Sequence, residues 1–422
     1  MEKIPLAIVG CGGMGHRHLY GLNELHQAGL NRFELIGACD PVTENAESLA
    51  SAAEQFFGRK PTVVSRIEEL APLGVAAVDI TTTPRFHHSL AVQALHHGMH
   101  MMIEKPVGLT VRASTVIKDE AKSKNLVVSV AENYRRDPIN RLGKALLDAG
   151  VIGQPRLMIH NTIGGGNRML ISVWRHQKDQ SGVLLDVGVH FADIMEYYLG
   201  PITHLYAQTR LHEPIRHNPV AEGAKASAPN PIYERFQRQM PAKFTATAED
   251  ATYATLTFAN GAAAQYIEDH SGHGQGMWLR QIHGSKGSMD LPNDRSGKNI
   301  TLYLAGDGEK TVIDDGRMLD FVPDFRLDKA TATLFGGERL WQYQFPFEQI
   351  DRKLLAVEYD DLAGAILGEH PAEVDIVQGT RSVAVSYGML ESGVAGRVVT
   401  MDEILNLELE TYQKEINDSL DL

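Results

Sequence analysis

The first part of the chain alternates short apolar runs with longer amphipathic ones. Residues 4–9, 33–39, 62–64, 75–80, 100–103 and 126–130 are almost continuously apolar and are bounded by turn-forming residues. Runs that short and uniform predict strands buried on both faces, as in an inner parallel sheet. Between them, residues 44–55, 88–97 and 111–124 repeat apolar side chains at helical spacing, which predicts helices that cover the sheet. The expected architecture of residues 1–135 is a doubly wound α/β domain.

The pattern changes near Pro138. Residues 140–148 read as a helix stopped at Gly150. Beyond it the alternation has a period of two. Residues 252–258 and 263–268 flank Asn260-Gly261, a dipeptide suited to a tight hairpin turn. Residues 136–400 are therefore expected to form an α+β domain with a large, open, mostly antiparallel sheet. Helices at 353–367 and 380–392, the second ending at Gly393, would pack back on the domain.

Two segments stand apart. Residues 210–245 hold five prolines and show no period, which predicts a long loop. They carry six Lys or Arg against three Asp or Glu, and Tyr233 and Phe236 offer faces on which a sugar can stack. Shaping access to a ligand, reaching a neighbouring subunit, and serving as a plain surface insertion all fit this composition. Residues 402–422 contain seven acids and one lysine and read as a solvated helix or arm, so 401–422 is set off as an acidic terminal arm.

Composition narrows the partners. With 43% hydrophobic and 22% charged residues the balance is that of a globular protein. A net charge of −13 argues against nucleic acid or an anionic membrane as partner. No apolar stretch approaches the ~18 residues that a spanning helix needs. A strand expected from Ile4 leaves no room for a signal peptide. Cys11 and Cys39 make no disulfide framework, so a reducing, cytoplasmic setting is expected.

The candidate chemistry begins at Gly10-Cys11-Gly12-Gly13-Met14-Gly15, a G-x-G-x-x-G pattern between an apolar strand and a helix. Glycines there permit a tight turn, close approach to a pyrophosphate, and tight helix packing. The phosphates would sit at the helix N-terminus, where free N–H groups favour negative charge. Asp40 closes the second strand, where a carboxylate accepts from both ribose hydroxyls and repels a 2′-phosphate, so NAD is expected over NADP. A turn or N-cap aspartate before Pro41 is the alternative.

Thr81, Thr83 and Pro84 follow the fourth strand, at the end that faces a ligand crevice, or simply start the next helix with His87 and His88 in its first turn. Glu104-Lys105-Pro106 closes the next strand. A lysine there can point a cation into the crevice and polarise a carbonyl or bind a reacting hydroxyl, unless it lies on the surface.

Farther on, Asp186 and His190 stand an i, i+4 step apart, which on one helix puts them on one face. A carboxylate beside a histidine fixes its tautomer and makes it a credible acid/base. The alternative is an N-cap aspartate with a structural histidine. Asp193 would complete a metal-like trio, but hydride transfer needs no metal and no Cys/His cluster accompanies it, so none is expected.

Taken in order, these motifs resemble the glucose–fructose oxidoreductase / inositol dehydrogenase / MocA family. The match runs through Gly10–Gly15, Ala38-Cys39-Asp40-Pro41, Thr83-Pro84 with His87, Glu104-Lys105-Pro106, Trp174-Arg175, and Asp186 with His190 and Asp193. Glu132-Asn133-Tyr134-Arg135 resembles a family segment that often reads asparagine-x-arginine. The resemblance implies a Rossmann domain followed by an α/β domain whose open sheet often mediates oligomers, so a homodimer or homotetramer is expected.

The resemblance also implies roles. Lys105 would contact the reacting hydroxyl and the nicotinamide end, Asp186 hold the substrate, and His190 exchange the proton. Trp174 and Arg175 would lie near substrate and cofactor. Asn133, Tyr134 and Arg168, the last following Gly164-Gly165-Gly166-Asn167, are further candidates for the substrate rim. Gly182-Val183-Leu184 departs from the run of glycines that many members show.

The function expected is an NAD-dependent oxidoreductase acting on a secondary hydroxyl of a sugar, cyclitol or glycoside. A glycosidase or lyase that oxidises a ring hydroxyl transiently, with no net redox change, is the alternative. A non-catalytic NAD- or sugar-sensing regulator is a third reading.

Overall fold

Strand β1 (Ile4–Val9) is apolar on both faces and takes an inner place in its sheet, where both can be buried. After it come α1 (Gly13–Gln27), β2 (Phe33–Cys39), α2 (Thr43–Phe57), β3 (Thr62–Val64), β4 (Ala77–Ile80), α3 (His87–His96), β5 (His100–Glu104), α4 (Val111–Lys124) and β6 (Val128–Ala131). The strands run parallel in the order β3-β2-β1-β4-β5-β6. The order reverses between β1 and β4, which opens a crevice beyond their carboxyl ends. This is the doubly wound sheet expected, with strand ends moved by one or two residues, as ladder ends commonly are.

The computed structural model describes residues 3–225, 232–306 and 310–422. By contact it divides into two units, the first comprising residues 1–133, 349–383 and 422. The return of 349–383 to this unit has visible causes. A Cβ on Gly21 of α1 would fall 2.5 Å from the Leu355 Cβ, so the two helices meet almost backbone to backbone. Arg17 Nε donates to Asp351 at 2.9 Å, and the Tyr359 ring meets Phe33 edge-on at 5.8 Å.

The second unit holds residues 134–348 and 384–421. Its helix α5 (Pro138–Asp148) starts with Asp137 accepting from the Ile139 N–H and ends before Gly150, whose φ of +70° makes the stop expected there. Then follow β7 (Pro155–Gly165), α6 (Val183–Asp186), α7 (Gly188–Leu199), β8 (Ile202–Arg210), β9 (Ile215–His217), α8 (Ile232–Gln237), β10 (Lys243–Thr245), β11 (Ala251–Phe258), β12 (Ala263–Gly272), β13 (Met277–Gly284), β14 (Gly287–Leu291), β15 (Thr301–Ala305) and β16 (Lys310–Ile313). The last part of the chain adds α9 (Lys329–Phe335), α10 (Phe347–Ile366), α11 (Ile376–Ala395), β17 (Val399–Thr400), α12 (Met401–Leu405) and α13 (Lys414–Asp418).

Among the described residues the large sheet runs β16-β15-β14-β13-β7-β12-β11-β8-β17. Only the β7–β12 pairing in it is parallel. The β11–β12 hairpin turns at Asn260-Gly261 as expected, with Gly261 at φ +85°. One face is covered by α7, where Phe191 packs against His160, Tyr266 and Trp278.

Three expectations are corrected here. The stretch 210–245 is not a structureless loop. Its strands β9 and β10 pair, and Arg216 is fully buried, donating to Asp250 Oδ2 at 2.7 Å and to the Gly166 carbonyl at 2.7 Å. A buried guanidinium needs such partners, and they tie the segment down; its residues 226–231 lie outside the described ones. Second, α11 runs through Gly393 instead of ending there. That glycine faces Thr209, whose Oγ1 would lie 2.5 Å from an added Cβ, so it serves close packing.

Third, the acidic tail is not simply solvated. Ile404, Tyr412, Gln413 and Ile416 are buried, and the Glu391 carboxylate accepts from the Tyr412 N–H at 2.9 Å. Asp402, Glu408, Glu415, Asp418 and Asp421 are exposed while Ile404, Tyr412 and Ile416 dock.

Candidate functional site

The first unit gathers its motif residues at the carboxyl ends of β1, β2, β4 and β5. The glycine turn joins β1 to α1, and Gly10 has φ +96°. A Cβ on Gly15 would stand 2.2 Å from the Gly10 carbonyl oxygen, so this glycine is what lets α1 start against the turn. Around Gly12 the situation is opposite: an added Cβ would meet nothing within 4 Å. Gly12 is also the N-cap of α1, with no side-chain cap and no acid in the first turn. Open space over a glycine at a helix start that no side chain caps fits a pyrophosphate. Gly13 and Met14 form the first turn of the helix.

The polar residues around this turn face the main chain. Thr81 Oγ1 donates to the Gly10 carbonyl at 2.6 Å. Asp40 is buried, and its carboxylate accepts from the Cys11 N–H and the Val42 N–H, each at 2.8 Å. The turn role of Asp40 is thus present, and it links the end of β2 to the glycine turn. Thr83 precedes a 3₁₀ turn at Pro84–Phe86 that leads into α3, and its side chain makes no cap bond. His87 is fully buried between two carbonyls, of Pro106 at 2.8 Å and Thr82 at 3.2 Å, whereas His88 is only half-buried. Burial holds the His87 imidazole below its ordinary pKa.

Glu104 ends β5 in a cluster that sequence reasoning missed. Its Oε1 lies 3.0 Å from His18 Nε2, and His18 Nδ1 lies 2.9 Å from Asp79 Oδ2. Tyr359 donates to the same Asp79 oxygen. Despite the opposing effect of burial, the two carboxylates hold His18 well above its ordinary pKa, and His18 with Lys105 brings Glu104 down to about 2. One signal was available: Asp79 is a charge inside an otherwise apolar run. Nothing local marked His18 as its partner.

The second unit places the other candidates. Asp186 and His190 do not share one helix: Asp186 closes α6, Val187 intervenes, and His190 lies in the first turn of α7. Neither serves as the N-cap of α7, which is Val187. Asp186 is buried and accepts from Arg175 Nε at 2.7 Å, and Arg175 also donates to Ser172 Oγ at 3.0 Å. The guanidinium lies over the Trp174 ring at 4.1 Å from its centroid. The His190 ring stacks on Tyr134 at 4.4 Å with an interplanar angle of 12°.

Asp193 pairs with Arg135 at 2.8 Å. Among the described residues no group of three or more His, Cys, Asp or Glu is placed to hold a metal ion. Arg168 is exposed. Asn133 is buried with its side-chain carbonyl oxygen unsatisfied, the state expected of a group that meets a ligand.

Comparison with known proteins agrees with this layout. Residues 4–132 match the family model GFO_IDH_MocA, described as an oxidoreductase family with an NAD-binding Rossmann fold. Residues 144–401 match that family's C-terminal alpha/beta domain. The chain is 28% identical over 306 residues to a levoglucosan dehydrogenase of Pseudarthrobacter phenanthrenivorans, covering 70% of this chain and 75% of the relative. It is 26% identical over 327 residues to a scyllo-inositol 2-dehydrogenase (NAD(+)) of Bacillus subtilis, covering 77% and 81%. A solved levoglucosan dehydrogenase in complex with NADH and L-sorbose shares the fold with a TM-score of 0.73 at 21% identity, over 95% of this chain and 100% of the other.

Proposed function

The chain belongs to the GFO_IDH_MocA family of oxidoreductases, and on that premise we propose that it moves a hydride between NAD and a secondary hydroxyl, or its ketone, of a sugar, cyclitol or glycoside. The observation that carries this reading is the open space over Gly12 at an uncapped helix N-terminus. Relatives named for sugar and cyclitol substrates support the substrate class.

Bound NAD supplies the hydride acceptor. Gly10, Gly12, Gly13, Met14 and Gly15 would hold its pyrophosphate, and Asp40 its adenosine ribose. Thr81, Thr83, Pro84, His87 and Glu104 would shape the wall along it, with Trp174 and Arg175 at the nicotinamide end. A hydride leaves carbon readily only as the hydroxyl proton departs, so a base must be in reach of that oxygen. His190 takes that role, since an imidazole can accept a proton at one ring nitrogen and return it. Its stacking on Tyr134 supports this by limiting the ring's rotation.

Lys105 stabilises the developing alkoxide charge, and Asp186, held by Arg175, orients the substrate. Asn133, Tyr134 and Arg168 would contribute to its rim. A cytoplasmic setting is supported by Cys11 and Cys39 being free, buried thiols. A homodimer or homotetramer formed through the open sheet is supported by the half-exposed Ile159, Ile267 and Leu279 on it.

An NAD-coupled screen of sugars, cyclitols and glycosides tests the function, reading NADH and released aglycone together. Steady NADH formation on one of these classes is expected. Aglycone release without NADH would replace the reading with a glycosidase or lyase. Saturable NAD binding with no turnover on any compound would replace it with a sensor.

A further inference from the structure

A second layer lies behind Lys105, entirely within the first unit. The Lys105 N–H donates to Glu104 Oε2 at 3.0 Å. The other oxygen of that carboxylate faces His18 Nε2 at 3.0 Å, and the far side of the His18 ring faces Asp79 at 2.9 Å. With a carboxylate on each ring nitrogen, both nitrogens must carry protons. A neutral imidazole would turn a lone pair toward one of the two anions. Tyr359 donates to Asp79 and closes the row.

His18 and Asp79 are fully buried and Glu104 nearly so. A buried ion pair is a weak device for stability, because desolvation offsets much of its attraction. Its use here is better sought in what it fixes. Glu104 ends β5, and the next residue is Lys105. On the other side of the lysine, the Pro106 carbonyl lies 2.8 Å from His87 Nδ1. The main chain is therefore gripped immediately before and after the lysine by two buried histidines, one acting through a carboxylate.

We propose that His18 is a positioning residue for Lys105, acting through Glu104. The proposal rests on the reading that Lys105 touches the reacting hydroxyl. His18 orients the Glu104 carboxylate, the carboxylate holds the Lys105 N–H, and the place of the lysine's Cα is set by that bond. Misplacement of a reacting group by ~1 Å can cost ~10²-fold in rate, so a tether that removes tenths of an ångström of play is worth having.

The test is a double-mutant cycle on the full-length protein with NAD and the polyol that the unaltered enzyme oxidises fastest in the screen above. Glu104→Gln and His18→Gln are each expected to lower kcat ~10-fold with KM within ~2-fold, and in His18→Gln, which is not part of the wall along NAD, the NAD dissociation constant should also hold within ~2-fold. In a Lys105→Ala background, Glu104→Gln should lower kcat by less than ~2-fold further, because the group it positions is gone. Hydrogen exchange at the Lys105 amide should rise ~10-fold or more in His18→Gln, which reads the tether without turnover.

Losses that multiply in the double variant, or a near-normal kcat in Glu104→Gln, would overturn the proposal while leaving the role of Lys105 intact. A near-normal kcat in Lys105→Ala would overturn both. Should His18→Gln fail to fold, the Glu104→Gln cycle still decides.

Discussion

In the first unit the polar motif residues turn back onto the main chain. Thr81 binds the Gly10 carbonyl, Asp40 two N–H groups, Glu104 the Lys105 N–H, and His87 faces two carbonyls. In the second unit the motif residues meet other side chains instead: Arg175 holds Asp186, Tyr134 stacks on His190, and Arg135 pairs with Asp193. The contrast follows from what each must present. A dinucleotide is bound largely by main-chain N–H groups, so side chains near it shape a backbone. Proton transfer needs a side chain at a set angle, so its neighbours fix a rotamer.

The comparison is broken most severely by removing the groups proposed to react. Lys105→Ala and His190→Ala are each expected to lower kcat by ~10²-fold or more with little change in NAD affinity. Steady-state kinetics with separate NAD titration checks this, and loss of NAD binding in both would place them with the backbone-shaping set. Next comes Gly12→Ala. The methyl meets nothing within 4 Å in the protein, so the melting temperature should hold while NAD binds ~10-fold or more weakly. Unchanged NAD affinity would mean that the pyrophosphate lies elsewhere.

A smaller effect is expected from Asp40→Ser, which should narrow the preference for NAD over NADP by ~10-fold, measured as the ratio of kcat/KM values. If the unaltered protein binds NADP more tightly than NAD, Asp40 serves the turn alone.

The smallest effect is on stability against pH. The His18 pKa is raised above its ordinary 6.5, so its contribution is full below that value and is lost as pH climbs through the folded-state pKa. Glu104 is brought down from 4.5 to about 2, so its contribution is full above 4.5 and is lost as pH falls through about 2. The stability gap between wild type and Glu104→Gln should be widest between those two ordinary values and shrink on either side. Urea unfolding at a series of pH values measures it, and a gap independent of pH would remove the ion pair from the account.

Three elements show where reading by pattern stops. Residues 215–217 looked like loop because three residues are too few to show a period, and only the pairing with 243–245 and the buried Arg216–Asp250 contact make them structure. Gly393 carries the mark of a helix stop, yet Thr209 lies against it and the helix continues. Residues 349–366 have a helical period that names no partner, and the choice of α1 rests on Gly21, Arg17 and Phe33, which lie far away in the chain.

The order of strands and helices in the first 135 residues, the glycine turn, Asp40 at the end of β2 and Lys105 after β5 follow from the sequence alone, because period, turn chemistry and strand ends are properties of neighbours in the chain. The row Tyr359–Asp79–His18–Glu104 was decided only by the tertiary structure. Its members come from four separate elements, and a buried charge says that it needs a partner without saying which residue provides it.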